Sequence, residues 1–332
     1  MGKLSNKDLE TIIGCVKKDF RVVIPPTIGY DAGVHLLHGK YVAVATDPCT
    51  GVPEDWFGWL LIKYAASDVA LFGAKPEFCT INLLGPIGTK PEVFQKIMKQ
   101  TCSAAEELGI AIVRGHTGIY DSLKDLLGVC TVYGTVEPRK LITPGNAKSG
   151  DLILCTNPLG LETVTNFSLT HKEKAQELFG VDEQDKLSKL VYMQSCVKEA
   201  LQLAQIEGVH AMHDATEGGF VAAINELAQA SNVGFKVDWE RLPISKEVFS
   251  LQSYFKLTDE QLLSMSSTGT ILAAVAPEAQ EKVKASLNKN ELSTCFLGEF
   301  TTKKERTLLK KDKEMPFPQA ANDPYAMILS GK

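Results

Sequence analysis

The stretch that decides the fold is Ala66-Ser67-Asp68-Val69-Ala70-Leu71-Phe72-Gly73-Ala74-Lys75-Pro76. Its apolar residues continue a run that starts at Leu60, and this run predicts a helix over residues 53–72. Gly73 is a typical helix stop, because glycine adopts the left-handed backbone at little cost. Asp68 stands inside the apolar run, where a carboxylate must face solvent or have a partner, since an unpaired buried charge is costly. Asp68 is therefore the first candidate site residue.

Strands and helices alternate on both sides of this helix. In the first half, the patterns predict strands at 40–46, 77–84, 110–114 and 126–136, and a helix at 91–108. In the second half, they predict strands at 151–156, 209–212, 234–237, 271–276 and 294–300, with helices near 159–179, 186–206, 220–230 and 277–288. Between the halves, the glycine- and proline-containing segment 138–150 has no hydrophobic periodicity. We therefore expect a two-domain mixed α/β (α+β) protein, with domains at residues 1–140 and 148–332.

Composition excludes several classes of protein. A net charge of −5 over 332 residues argues against nucleic acid as the main partner, since phosphate-backbone binding needs a basic face. The apolar runs are strand-sized and too short to span a membrane, and the N-terminus does not resemble a secretory signal. The eight cysteines never fall in a Cys-x-x-Cys spacing, and several lie in apolar runs. Buried free thiols in a reducing compartment predict a cytoplasmic protein.

Several short segments place an acidic or polar side chain at or near the end of a predicted element, three of them beside glycine. They are Gly29–Gly33, Ala45–Pro48, Ala66–Val69, Arg114–Gly118 and His213–Gly219. Carboxylates are the natural ligands of magnesium, and glycines let backbone amides approach phosphate oxygens. These segments therefore suit nucleotide phosphates better than zinc.

Each segment also has a structural interpretation. Asp31 and Asp47 also have the positions of ordinary loop and turn aspartates, which bind no ligand. His116 is either a ligand or base, or an ordinary loop histidine. Gly218-Gly219 opens a predicted helix, as in an anion-binding helix start. The residues alone leave both interpretations open.

The order of these segments resembles the aminoimidazole ribonucleotide synthetase superfamily. This superfamily also contains thiamine-monophosphate kinase, selenophosphate synthetase and the hydrogenase maturation factor HypE. Residues 66–76 are similar to its Asn/Ser-Asp-x-x-x-x-Gly-Ala-x-Pro signature. The other segments that carry the resemblance are Asp31–Val34, Thr46-Asp47, Gly115–Thr117, Ala147–Asp151, Asp214–Gly219, Ala222–Ala228 and Ser266–Leu272. The segments of the second half are most similar to HypE.

The resemblance implies a two-domain PurM-like fold, in which the N-terminal domain dimerises through its sheet and ATP and magnesium sit between the domains. It assigns magnesium to Asp31, Asp47 and Asp68. Cofactor binding is assigned to Thr46, Ser67, Gly115, Thr117, Gly218 and Gly219, and a catalytic role to Asp214 and His116. The predicted assembly is a homodimer.

Two positions depart from the family pattern. His116 stands where an acidic residue is usual, and the last cysteine is Cys295, whereas HypE has a C-terminal cysteine. We therefore expect no cyanide-forming step of the usual kind. The leading hypothesis is a magnesium-dependent ATP-using enzyme that phosphorylates a small substrate and releases ADP. The alternatives are a non-catalytic nucleotide-binding partner in hydrogenase or metallocentre maturation, and thiamine-monophosphate kinase activity.

Overall fold

The computed structural model describes residue 4 and residues 6–289 and 292–331. The outer ends of the two predicted domains, Met1 and Lys332, lie outside these residues. The first half contains helices α1 (Asn6–Ile13), α2 (Phe57–Leu71) and α3 (Pro91–Leu108). Its strands are β1 (Val22–Ile24), β2 (Gly33–Leu37), β3 (Lys40–Cys49), β4 (Phe78–Pro86), β5 (Ala111–Tyr120) and β6 (Leu127–Val136). They form one six-stranded sheet in the order β1-β2-β3-β6-β4-β5.

Helix α2 is the central helix of the first half. It is buried along nearly its whole length, because β3, β6 and α3 all pack against it. Gly58 allows the close approach of α3, since a Cβ atom there would lie 2.1 Å from the carbonyl oxygen of Ile97. Gly73 follows the helix with a φ of +74°, as the sequence predicts for a helix stop.

The second half forms a seven-stranded sheet. Its strands are β7 (Leu152–Cys155), β8 (Val209–Asp214), β9 (Gly234–Asp238), β10 (Ile271–Val275), β11 (Cys295–Thr301), β12 (Arg306–Lys310) and β13 (Lys313–Pro316). The sheet order is β13-β12-β9-β11-β7-β10-β8. Its helices are α4 (Leu161–Thr170), α5 (Lys172–Phe179), α6 (Val181–Lys189), α7 (Val197–Leu203), α8 (Gly219–Ala230), α9 (Lys246–Tyr254), α10 (Asp259–Leu263), α11 (Gln280–Asn288) and α12 (Tyr325–Ser330).

The second sheet is covered on both faces. Alternate residues of β10 contribute to two different hydrophobic cores, with Leu272 in one and Ala273 in the other. The core that contains Ala273 continues into the first half through α2 and α7. The two halves therefore share buried surface, and the predicted two-domain α/β architecture is confirmed.

Several predicted boundaries differ from the structure. Strand β5, predicted at 110–114, continues to Tyr120, and the helix predicted near 186–206 is interrupted between α6 and α7. Strand β3 does not end before Asp47 but continues through Pro48 to Cys49. Proline is tolerated there because β2 pairs only with residues 40–44 of β3, which leaves one side of the Pro48 backbone without a strand neighbour. The helix predicted over 159–179 is broken at His171, whose backbone (φ −116°, ψ 56°) is not helical. Within the described part of the chain, no helix is long and apolar enough to cross a bilayer.

Candidate functional site

A cleft of about 1410 Å³ opens between the two domains. From the first domain, Asp31, Asp47 and Asp68 line it. Asp31 precedes β2, Asp47 lies near the end of β3, and Asp68 lies in the last turn of α2. Because β3 packs against α2, these three positions converge at one end of the cleft, which we call the aspartate end. The structure thus brings together the three carboxylates that the resemblance assigns to magnesium.

The electrostatics of the aspartate end are dominated by like charges. The pKa of the Asp68 carboxyl is raised well above its ordinary value, first by burial and then by Asp47, Asp214 and Asp31. Carboxylates this close cannot all ionise without a compensating positive charge. The aspartate end therefore requires either a proton or a bound cation.

His213 supplies part of the compensating charge. Its Nδ1 atom lies 3.5 Å from Asp31 Oδ2 and 2.7 Å from the backbone carbonyl oxygen of Asp214, and its Nε2 atom lies 2.8 Å from Glu226 Oε2. Burial alone would lower the pKa of His213, but Asp31, Glu226 and Asp214 outweigh burial and raise the pKa to about 9. Both ring nitrogens face acceptors, which fits an imidazolium that donates two hydrogen bonds.

The donor set at the aspartate end fits a magnesium ion. Asp31, Asp47 and Asp68 offer carboxylate oxygens towards an open cleft, and oxygen is the donor that magnesium prefers. Asp31, His213 and Asp214 also offer ligand atoms that lie within 4.8 Å of one another. Both nitrogens of His213 already face acceptors, so the carboxylates, and not the histidine, are the donors that would be available to a metal.

Asp214, predicted to be catalytic, is not part of the cleft surface. It is buried at the end of β8 and does not line the cleft. Its backbone carbonyl accepts from His213, and Thr216 Oγ1 lies 3.4 Å from its Oδ1 atom. This position suits a residue that orients the cluster.

Thr46 and Ser67, predicted to bind the nucleotide, lie away from the cleft surface. The hydroxyl of Thr46 is 2.9 Å from that of Thr131 on the neighbouring strand β6. Ser67 is buried, donates to the carbonyl of Lys63 and accepts from the amide of Cys196 in the second domain. In this structure, the contacts of Ser67 join the domains.

Gly115, His116 and Thr117 lie on β5, at the edge of the first sheet, and do not line the cleft. His116 Nε2 lies 2.8 Å from the hydroxyl of Tyr120. Gly115 is explained by packing, because a Cβ atom there would lie 2.8 Å from the carbonyl oxygen of Ile81. The single chain therefore does not bring this segment to the aspartate end.

The glycine pair at the start of α8 also has a packing explanation. Gly218 and Gly219 have φ values of +84° and +54°, and a Cβ atom on Gly219 would lie 2.4 Å from the carbonyl oxygen of Met265. The amide of Gly218 donates to Asp323 Oδ2 at 2.9 Å. The amide predicted to bind a phosphate is thus bound by a carboxylate of this chain.

Glu162, which also lines the cleft, was not predicted as a site residue from the sequence. Its Oε1 atom accepts from the hydroxyl of Tyr64 at 2.8 Å, and its Oε2 atom accepts from Thr268 Oγ1 at 2.5 Å. We call Glu162, Tyr64 and Thr268 the glutamate end. The sequence did contain a signal for Glu162, because this acidic residue lies between the apolar residues Leu161 and Val164. The same kind of signal identified Asp68.

The cleft as a whole is acidic. Besides the three aspartates, its acidic residues are Glu54, Asp55, Asp125, Glu162, Glu217 and Asp323. Among the described residues that line it, none is lysine, arginine or histidine. Any anionic ligand in this cleft would have to bring or share a cation.

Comparison with known proteins gives consistent results for the two halves. Residues 29–136 match the family model of the AIR synthase related protein, N-terminal domain, and residues 148–311 match that of its C-terminal domain. A putative hydrogenase expression/formation protein of Methanocaldococcus jannaschii is 28% identical over 240 residues, which cover 72% of this chain and 68% of that protein. The selenide, water dikinase of Escherichia coli K12 is 29% identical over 326 residues, covering 90% of each chain.

Solved structures give the same fold. The crystal structure of E. coli HypE superposes with a TM-score of 0.75 at 23% sequence identity, covering 86% of this chain and 88% of that one. The resemblance inferred from the order of the motifs is confirmed, including the similarity to HypE. Since the two family models together match more than half of its length, the chain belongs to the AIR synthase related family.

Proposed function

We propose that this protein is a magnesium-dependent, ATP-binding enzyme that transfers the γ-phosphoryl group to a small substrate and releases ADP. The observation that carries the proposal is the convergence of Asp31, Asp47 and Asp68 on one end of an open cleft. Their mutual repulsion, expressed in the raised pKa of Asp68, is relieved when a divalent cation binds. The name of the selenide, water dikinase relative supports a phosphoryl-transfer activity.

In this proposal, Asp31, Asp47 and Asp68 hold magnesium, and the bound metal neutralises the charge of the phosphate groups. The chain's own residues position this carboxylate set. His213 compensates part of the charge of Asp31, and Glu226 orients the imidazole from the opposite side. None of the described residues that line the cleft has a basic side chain, so phosphate binding depends on the metal.

Isothermal titration with ATP and magnesium tests the proposal. The expected result is saturable binding that weakens by at least about tenfold in Asp47→Ala and Asp68→Ala, since each loses a carboxylate oxygen for the metal. Asp121→Ala is the matched control, because Asp121 is exposed and does not line the cleft. Failure of the wild type to bind, or equal binding by all variants, would contradict the proposal.

A nucleotide-binding partner in hydrogenase or metallocentre maturation is the second candidate. The M. jannaschii relative, a putative hydrogenase expression/formation protein, favours it. The two candidates differ in turnover: the partner binds ATP without releasing ADP, whereas the enzyme releases ADP in the presence of its acceptor. Thiamine monophosphate, suggested by the family resemblance, is the first acceptor to assay.

We further propose that the protein is a homodimer joined through the first sheet. Strand β5 is an edge strand with large exposed apolar side chains, including Val113 (56% exposed), Ile119 (50%) and Tyr120 (41%). An exposed apolar edge strand is a pairing surface, and folded monomers usually protect such edges. His116 and Thr117 would then lie at the interface, next to the partner chain.

Light scattering tests the homodimer. The measured mass should be twice the chain mass for the wild type and should fall for Ile119→Glu. It should not fall for the control Val181→Glu, which changes an exposed apolar residue of α6.

A further inference from the structure

The glutamate end contains a buried carboxylate that the chain compensates only with neutral hydrogen-bond donors. Glu162 is 7% exposed and lines the cleft. Its hydrogen-bond donors are the hydroxyl of Tyr64 and the hydroxyl and backbone amide of Thr268, all of them neutral, and no ion pair joins it to a cationic side chain among the described residues. A carboxylate offers about four acceptor sites, so these three donors leave about one acceptor site for a ligand in the cleft that Glu162 lines.

The burial of Glu162 is costly for the chain. Burial raises the pKa of its carboxyl, although the hydrogen bonds from Thr268 and Tyr64 act in the opposite direction. A buried carboxylate is stabilised most by additional N–H donors or by a positive charge. Another anion near Glu162 would be repelled, and the acidic lining of the cleft extends this repulsion to its whole surface.

The glutamate end lies close to the aspartate end. Tyr64 and Asp68 are four residues apart on α2, so they lie on the same face, about 6 Å apart along the helix axis. The hydroxyl of Tyr64 donates directly to Glu162. Glu162 and the three aspartates thus line the same cleft, so that one acceptor molecule can face both.

We propose that Glu162, held by Tyr64 and Thr268, forms a subsite that binds an uncharged or cationic N–H donor group of the phosphoryl acceptor, such as a primary amide, an amine or an amidinium. The proposal rests on the proposed function, because it assigns the acceptor to the same cleft. It excludes acceptors that would place a carboxylate or a phosphate beside Glu162. The carboxylate thus selects the acceptor by its hydrogen-bond donors.

Three probes of nearly equal shape test the charge preference: acetamidinium, acetamide and acetate. Their binding to the full chain is measured by saturation-transfer NMR, with magnesium and a non-hydrolysable ATP analogue present to fill the aspartate end. We expect acetamidinium and acetamide to bind wild type and acetate to bind at least about tenfold more weakly. Acetamidinium affinity should fall at least about tenfold in Glu162→Gln, which removes the charge and keeps the shape.

Glu199→Gln is the matched control, since Glu199 is also a buried glutamate but lies on α7 and does not line the cleft. It should leave acetamidinium binding unchanged. Should Glu162→Gln fail to fold, Glu162→Asp keeps the charge, withdraws it by one methylene and should weaken acetamidinium binding at least about threefold. Acetate binding as tightly as acetamide, no acetamidinium binding by wild type, or equal effects of the Glu162 and Glu199 substitutions would overturn the proposal.

The exocyclic amine of ATP is a second possible source of the N–H donor, and titration with MgATP separates the two. If Glu162 binds the acceptor, Glu162→Gln keeps wild-type affinity for MgATP. A comparable loss of MgATP and acetamidinium affinity would instead assign Glu162 to the nucleotide and overturn the acceptor assignment. Failure of the proposed function is recognised separately, as MgATP binding that does not depend on Asp68.

Discussion

The two ends of the cleft hold buried carboxylates in opposite ways. At the aspartate end, Asp31, Asp47 and Asp68 crowd together, and His213 compensates only part of their charge. At the glutamate end, Glu162 accepts hydrogen bonds from the hydroxyls of Tyr64 and Thr268 and from the backbone amide of Thr268. Burial raises the pKa of both Asp68 and Glu162, but the neighbours of Asp68 raise it further, whereas the hydroxyls beside Glu162 oppose the shift.

This difference indicates what each end is built to bind. A cluster of repelling carboxylates lowers the stability of the free protein and gains stability when a divalent cation binds. A carboxylate with hydroxyl donors is already tolerated by the fold, so its remaining acceptor sites are available for hydrogen bonds from a ligand. Substitutions at the two ends should therefore change stability with opposite signs.

The largest effect is expected from Asp68→Asn without divalent cations. The folded-state pKa of Asp68 is raised, so its contribution to stability is fully present below about 3.8, the ordinary value, and is lost as pH rises through the raised pKa. Asparagine removes this loss. At pH 8 in EDTA, Asp68→Asn should be more stable than wild type by about 1–4 kcal/mol, the range in which replacing buried charged groups stabilises proteins, as measured by urea denaturation.

Two further measurements check this interpretation. The stability difference should disappear near pH 4, where Asp68 is protonated in wild type, and magnesium should stabilise wild type more than Asp68→Asn. Asp121→Asn, at an exposed position, should behave as wild type throughout. A stability difference that does not change with pH would show that repulsion is not its cause.

A smaller effect of opposite sign is expected from Tyr64→Phe at the glutamate end. The substitution removes the hydroxyl that donates to Glu162, which should destabilise the protein by about 1 kcal/mol at pH 8, the usual net contribution of one hydrogen bond, since Glu162 keeps the donors of Thr268. Since that donor lowers the pKa of Glu162, the variant should have a higher pKa there. The loss of stability should therefore be smaller at pH 5 than at pH 8, because protonated Glu162 needs the donor less.

Tyr41→Phe serves as the control, because Tyr41 lies on β3 and does not line the cleft. Thermal and urea unfolding of both variants at the two pH values give the comparison. Destabilisation of Tyr64→Phe that is equal at pH 5 and pH 8 would indicate a packing effect and would remove the contrast between the two ends.

Much of the architecture followed from local patterns. The apolar run before Gly73 predicts α2 and its end, because helical periodicity and glycine's left-handed backbone are properties of neighbouring residues. Asp68 was identified by the cost of burying a charge within that run. Asp31 and Asp47 remained ambiguous on local grounds, and only the order of the motifs along the chain grouped them with Asp68.

The composition of the cleft could not be predicted in this way. The contacts between Glu162 and Tyr64, between Gly218 and Asp323, and between His213 and Asp31 join residues that are distant in sequence. Such contacts depend on how α2, α4 and the C-terminal segment pack, and no local pattern encodes that packing. The role predicted for Gly218-Gly219 shows this limit of prediction from sequence. The sequence cannot distinguish a glycine that is required for close packing from one that is required for binding a phosphate.

The sequence by itself determined the class of fold, the order of its elements and the family, because these depend on periodicity and on motifs within short segments. Only the tertiary structure decided which carboxylates share a cleft, which of them the chain neutralises and which it leaves to a ligand. The physical reason is that the pKa of a carboxyl and its hydrogen bonds depend on neighbours within a few ångströms in space, and folding alone brings those neighbours together.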